Sequence, residues 1–376
     1  MKLIYEMQYK FVLLQHLNKR TEIMKDINSC NILKLEDMIR KAYNLVIVTH
    51  MKPDGDAMGS SVALYHYLNS IGKRSRIVIN DEAPSYLNFI LDGISSTDLI
   101  IYSQNPEHAS SAITSADLIF CLDFNAFHRT ENLEAPLSES TAEKVLIDHH
   151  LNPDRERFAL CFSETQVSSA SELLYHILMA LPDVSNDACK LPDKSTEALM
   201  TGMTTDTNNF ANSVFPSTLL MASALLAAGA DRDRILLHLY NQHSESRLRL
   251  MGHIMKDLMT ITDDGVAYIV LDSRTQKEYD VKEGDTEGFV NMPLSIARVR
   301  MSLFLKEDGN RIRVSIRSKK GTSANQCAKL FFNGGGHENA AGGRLNIPED
   351  VSGIGQAGEY IEKHTHIYFT EYEKNN

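Results

Sequence analysis

From Leu45 onward, short β-branched runs alternate with helical segments, and that alternation leaves few folds open to the chain. Leu45–Val48, Arg76–Ile79, Ala116–Leu122 and Lys144–Ile147 read as strands too apolar to be half exposed. Helical patterns cover Ala57–Ile71, Ser169–Leu181, Ser195–Met203 and Ser217–Gly229. Strand and helix in alternation predict an α/β fold: a mostly parallel sheet with helices on both faces. After Asp231 the pattern changes. A charged helical stretch to Met259 suits a connector, and Val266–Leu271, Val299–Leu305 and Arg311–Ile316 read as strands of a second, mixed sheet. The Glu307–Asn310 turn closes the last pair as a hairpin, and a Gly-rich run, Gly334–Gly343, follows.

A length of 376 residues fits two domains. The expected division is an N-terminal helical extension over 1–40, a catalytic domain over 41–230, a helical linker over 231–262 and a smaller C-terminal α/β domain over 263–376. In the extension, Ile4, Met7, Phe11, Leu14 and Leu17 recur at helical spacing, which suits either a docking helix or an upstream extension of a protein starting near Met24. The longest weakly polar run, Leu219–Ala230, falls short of the roughly 20 residues that span a bilayer, so no membrane partner is expected. Five dispersed cysteines without a CxxC pair read as reduced thiols in a cytoplasmic protein.

The net charge of −11 argues against a partner such as long nucleic acid, which a global basic field would have to hold. The charge is uneven. Residues 266–344 carry 13 Lys and Arg against 9 Asp and Glu, so an acidic first part precedes a locally basic second part. One collects cations and the other anions, or both are ordinary solvated surface.

Each chemical feature of the first part follows a predicted strand or ends a helix. Thr49–Asp56 holds His50, Asp54 and Asp56; Asp123 closes the next candidate strand; Asp148-His149-His150 closes another; Asp206 lies in Thr204–Thr207. In an open parallel sheet the carboxyl ends of the strands form the ligand crevice. Gathered there, these carboxylates repel one another unless divalent cations neutralise them. A donor set of carboxylates with a few imidazoles suits a manganese-like ion, and there are enough donors for two ions that activate water toward phosphorus. Taken singly, Asp54 or Asp56 also reads as a cap of the helix beginning near Ala57.

His50-x3-Asp54-x-Asp56 and Asp148-His149-His150, with Asp123 and Asp206, resemble the motifs of the DHH phosphoesterase superfamily. Gly334-Gly335-Gly336-His337 with Ala340-Ala341-Gly342-Gly343 resembles the signature of the DHH-associated substrate domain. The chain is most similar to the compact two-domain branch, the nano-RNase and 3′-phosphoadenosine-5′-phosphate phosphatase type, which includes bacterial cyclic- and linear-dinucleotide phosphodiesterases. The resemblance implies one Mn2+ on His50, Asp54 and Asp123, and a second on Asp56, Asp123, His149 and Asp206, with Mg2+ or Co2+ as substitutes. It further implies that Asp123 bridges the ions, that Asp148 orients an imidazole, and that His150 contacts the scissile phosphate or protonates the leaving oxygen. Family members commonly carry Gly two residues after the last aspartate, where this chain has Asn208.

For the C-terminal domain, the resemblance assigns substrate binding to Arg317, Ser318, Gly334, Gly335, Gly336 and His337. Guanidinium forks pair with phosphate. A helix beginning near His337 would add backbone N–H donors to the glycines. Lys319 and Lys320 are expected to stay solvated, and Phe289 either faces the substrate or packs in the core. The expected partners are short RNA oligomers or small phosphorylated nucleotides, and a homodimer stays open. The competing readings are an inorganic pyrophosphatase or exopolyphosphatase on the same metal centre, and a non-catalytic nucleotide-binding module. Pyrophosphatases of the superfamily carry a different second domain, although Arg317–Lys320 loosely resembles its basic signature.

Overall fold

The computed structural model describes residues 26–282 and 284–372, so the helical spacing of Ile4–Leu17 lies outside the described residues. The chain forms two compact units that divide between Gln242 and His243.

In the first unit, α1 (Ser29–Lys41), β1 (Leu45–Thr49), α2 (Gly55–Ser70), β2 (Ser75–Ile79), β3 (Leu99–Ile101), α3 (Pro106–Thr114), β4 (Leu118–Leu122), β5 (Glu143–Asp148) and β6 (Leu160–Ser163) lead to four helices: α4 (Ala170–Ala180), α5 (Asp193–Asp206), α6 (Pro216–Ala227) and α7 (Arg232–Tyr240). The six strands pair in parallel in the order β3-β2-β1-β4-β5-β6. Side chains leave a strand alternately to its two faces. Leu45, Ile47, Phe120 and Ile147 therefore pack with α1, α2, α4 and α5. Val46, Val48, Cys121 and Leu146 pack on the opposite face with α3. Burial on both faces explains why these strands read as continuous apolar runs. The chain lays down β2 and β3 on one side of β1, then returns to add β4 on the other. The reversal point thus lies between β1 and β4, and the crevice at such a switch point is where open α/β sheets bind ligands.

The second unit holds α8 (Glu245–His253), β7 (Met259–Ile261), β8 (Val266–Leu271), β9 (Met301–Asp308), β10 (Arg311–Ser318), α9 (Ala324–Phe331), β11 (Gly335–His337), β12 (Ala340–Asn346) and α10 (Ala357–Ile367). Its sheet runs β11-β12-β10-β9-β8-β7, with β8 and β9 parallel and the other pairs antiparallel. Apolar residues of α9 and α10 cover one face, with Phe332 and Tyr368 fully buried. The connector stretch divides between the units: α7 belongs to the first, α8 and β7 to the second.

Two expectations for this unit are revised, and the open one for Phe289 is decided. No helix begins at His337: Gly335–His337 pairs antiparallel with Ala340–Gly342, closing a hairpin through Glu338 and Asn339. The reason is close backbone packing, since a side chain on Gly334 would collide with the Gly342 carbonyl. Lys319 is not left to solvent, because its Nζ donates to the Ile296 and Ala297 carbonyls at 2.9 and 3.2 Å; Lys320 is exposed. Phe289 packs in the core against Phe304. The strands β3, β6, β7, β11 and β12 were not anticipated from the sequence; the first four are three or four residues long, too short for a periodic signal.

Candidate metal centre

Residues from β1, β4, β5 and two helix ends meet at the carboxyl edge of the parallel sheet. His50 follows β1 and Asp123 follows β4, so the two strands flanking the reversal point supply the first pair. Thr49 Oγ1 donates to the Leu122 carbonyl at 2.9 Å and ties these two strand ends together. His50 Nδ1–H donates to the Met51 carbonyl at 2.8 Å. That leaves Nε2 aimed into the site, 3.4 Å from Asp123 Oδ2 and 3.8 Å from Asp54 Oδ1.

Asp123 is buried and adopts φ 62°, in the left-handed region that only Gly, Asn and Asp enter at modest cost. Its Oδ2 faces His50 and its Oδ1 faces His149 Nε2 at 3.4 Å. Oδ1 is buried without a hydrogen-bond donor. A buried carboxylate oxygen left in that state is costly.

Asp54 settles the capping question in an unexpected way. It is the N-cap of α2, with Oδ1 accepting from the Asp56 and Ala57 amides at 3.0 Å each, and it also stands beside His50. Asp56, the second residue of the helix, is not a cap of α2. Its carboxylate crosses to α4 and accepts from the Ala170 and Ser171 amides at 2.6 and 2.9 Å.

Asp206 ends α5, and its Oδ2 lies 3.5 Å from His149 Nε2. Asn208 just beyond adopts φ 46°. Asn tolerates a left-handed backbone better than most residues, so Asn in place of Gly at this position costs little. Asp148 is fully buried and accepts at Oδ1 from His150 Nδ1–H at 2.7 Å, which makes His150 the imidazole it orients. Oδ2 also accepts from the His150 amide at 3.2 Å.

Among the described residues, three groups therefore each bring their donor atoms within 4.8 Å of one another: His50, Asp54 and Asp123; Asp56, His149 and Asp206; and Asp123, His149 and His150. The electrostatics are those of crowded carboxylates and imidazoles. Burial pulls His50 and His149 down, but Asp123 and the other carboxylates outweigh it and hold them at about 9 and about 10. Burial and then the charge of Asp123 push Asp56 up to about 7. Desolvation and the charges of Asp56 and Asp123 push Asp206 up against the pull of His149. Asp123, though buried, is held far below the carboxylate range by His149 and His50. The residues fit hard divalent cations: oxygen and imidazole donors without a thiolate, and an unsatisfied carboxylate oxygen at the centre.

In the second unit, Arg317 and Ser318 end β10, and Arg317 pairs across the sheet with Ala340. Ser318 Oγ donates to the Thr322 carbonyl at 2.6 Å and accepts from Asn339 Nδ2 at 3.0 Å, so it braces the hairpin. Gly336 donates its amide to Asn325 Oδ1 at 3.0 Å, and the His337 side chain is exposed.

The sequence reading missed two contributors. Gly59 and Gly202 let α2 and α5 approach, and Ser168–Glu172 shape the α4 N-terminus that holds Asp56. A signal for the second was present: Ser169-x-x-Glu172 is a capping-box pattern.

Residues 44–203 match the DHH family, N-terminal domain, and residues 263–358 match the DHHA1 domain. The chain is 27% identical over 308 residues to a Streptococcus mutans protein named probable bifunctional oligoribonuclease and PAP phosphatase, covering 80% of this chain and 90% of the relative. It is 27% identical over 311 residues to the Bacillus subtilis bifunctional oligoribonuclease and PAP phosphatase, covering 81% and 90%. Among solved structures, an exopolyphosphatase-related protein from Bacteroides fragilis superposes with a TM-score of 0.83 at 36% identity, covering 91% of this chain and 97% of that one.

Proposed function

The chain belongs to the DHH family and is a hydrolase of phosphoester bonds; from that premise we propose that it is a manganese-dependent enzyme cleaving short nucleotidic substrates. Those substrates are RNA oligomers of a few residues, linear dinucleotides and 3′-phosphoadenosine 5′-phosphate. The observation that carries the reading is Asp123, whose two oxygens face His50 and His149 while Oδ1 lacks a donor. His50, Asp54 and Asp123 would hold one ion, and Asp56, Asp123, His149 and Asp206 the other. Bound there, two divalent ions supply the charge that activates an attacking water and offsets the charge developing on the phosphoryl oxygens.

The protein's own groups do the rest. Asp148 fixes the His150 ring through Nδ1–H, so Nε2 is the nitrogen presented to the substrate. From there His150 contacts the phosphoryl group and delivers a proton to the leaving oxygen. In the second unit, Arg317 pairs with a non-reacting phosphate, and the side-chain-free Gly334–Gly336 backbone and the exposed His337 imidazole contact the rest of the nucleotide.

A panel of 5′-labelled RNAs from two to about 24 nucleotides, with phosphoadenosine phosphate and pyrophosphate alongside, tests the reading under matched salt and Mn2+. The expected result is the highest kcat/KM for the shortest RNAs or phosphoadenosine phosphate. Rising efficiency toward the longest RNA would overturn it. Polyphosphate or pyrophosphate hydrolysis is the second reading, favoured by the likeness to the exopolyphosphatase-related protein, and faster turnover of pyrophosphate would select it.

A further inference from the structure

One fully buried carboxylate has no part in the chemistry above. Glu172 lies in the first turn of α4 at 0% exposure, where a charge is costly unless several donors meet it. Three donors converge on its Oε2: the Ser168 amide at 2.9 Å, Ser168 Oγ at 2.6 Å and Thr218 Oγ1, from α6, at 2.6 Å. The Glu172 amide donates in turn to Ser169 Oγ, the cap of the helix, at 3.0 Å. Burial pushes the carboxyl up, yet His176, whose Nε2 lies 3.5 Å from Oε1, and then the Ser168, Ser217 and Thr218 hydroxyls hold it down at about 2, so it is ionised in the folded protein.

What Glu172 grips is the turn leading into α4. In a capping box, Glu at this position reaches back to the amide of the capping serine itself. Here it takes the amide one residue earlier, Ser168, and so fixes the whole entry to the helix. Two and three residues further on, the Ala170 and Ser171 amides donate to different oxygens of Asp56, one each. The orientation of the Asp56 carboxylate is therefore set by a backbone segment, and Glu172 sets that segment.

We infer that Glu172 is a positioning residue for Asp56, locking the 168–171 turn so that the Ala170 and Ser171 amides hold the Asp56 carboxylate with one oxygen within reach of His149 and Asp206. The inference rests on Asp56 being a ligand of the second ion. It separates from a purely structural role because two arms of the network reach different elements. The Thr218 arm stitches α4 to α6; the Ser168 arm governs Asp56.

The test is calorimetric titration of Mn2+ into the metal-free full chain, with thermal unfolding alongside, for wild type, Glu172→Gln, Glu172→Ala and Thr218→Val. Glu172→Ala should lower Tm and weaken one of two binding events by about 10–100-fold, the range for groups that orient ligands, with the other event unchanged. Glu172→Gln should weaken the same event less. Thr218→Val should lower Tm and keep wild-type affinity. If Glu172→Ala does not fold, Glu172→Gln decides. Wild-type Mn2+ affinity in Glu172→Gln, with only Tm reduced, would overturn the inference and leave Glu172 as a stitch between helices. Absence of Mn2+ binding by wild type would instead sink the metal-centre reading itself, along with any role for Glu172 in it.

Discussion

Gly59 of α2 and Gly202 of α5 are in backbone contact: a Cβ on Gly59 would stand 2.8 Å from the Cα of Gly202 and 2.6 Å from the Ala198 carbonyl. Asp56 lies one turn before Gly59 and Asp206 one turn after Gly202, so the crossing sets how closely these two carboxylates approach. No flexible side chain can swing aside there. Gly59→Ala should therefore destabilise the protein by roughly 1–3 kcal/mol or more, the usual cost of overpacking. Gly252→Ala, in α8 with open space around its Cβ, should instead stabilise by about 0.5–1 kcal/mol through helix propensity. Denaturant unfolding of the two variants checks both signs.

Asp123→Asn is the informative substitution at the centre, because Asn tolerates φ 62° whereas Ala adds backbone strain. The variant should stay folded, lose tight Mn2+ binding and fall by several orders of magnitude in turnover. Near wild-type turnover with saturating Mn2+ would refute its proposed bridging role. Circular dichroism controls for folding.

The titration of the site fixes a pH dependence for the metal-free protein. His50 is raised to about 9, so its stabilising contribution is complete below the ordinary value of 6.5 and lost as pH rises through about 9. Asp56, raised to about 7, opposes folding increasingly between 3.8 and about 7, which has the same sign. Tm of chelated protein should fall as pH rises from about 6.5 to 9. Mn2+ affinity should rise over the same interval, because the ion displaces protons from the imidazoles. Scanning fluorimetry over a pH series, with and without Mn2+, measures both; a flat chelated profile would contradict the crowding of charge described for the site.

Arg317→Ala should raise KM for nucleotide substrates about ten-fold or more, since a hydrogen bond to a charged group is worth roughly 1.5–3 kcal/mol. Bound manganese, measured by elemental analysis, should match wild type. Loss of metal in this variant would contradict the division of labour between the two units.

How much of this was legible in the sequence follows from how each signal is encoded. The strands β1, β2, β4 and β5 were readable because burial on both faces makes them unbroken apolar runs. The six metal-ligand candidates were readable because strand ends and motif spacing mark them, and all six come together. The partners of Asp56 were not, because Ala170 and Ser171 bond it through backbone amides that any residue carries. Nor was the β11–β12 hairpin: Gly334–Gly336 looks the same whether it opens a helix or lets two strands touch, and only the partner backbone decides.

The order of strands across the first sheet governs when the site can exist at all. β1 is flanked on one side by β2, its neighbour in sequence, and on the other by β4, which the chain reaches much later. His50 thus waits for Asp123, and both wait for His149 and Asp206. Such non-local pairings form slowly because the intervening chain must be closed first. During synthesis, the N-terminal end of the sheet emerges with one imidazole and two aspartates that cannot yet form the full donor set. Maturation of the proposed centre is therefore sequential: the ribosome must release the chain past α5 before the nascent protein can gather all six donors, and an unfinished chain holds only part of the set.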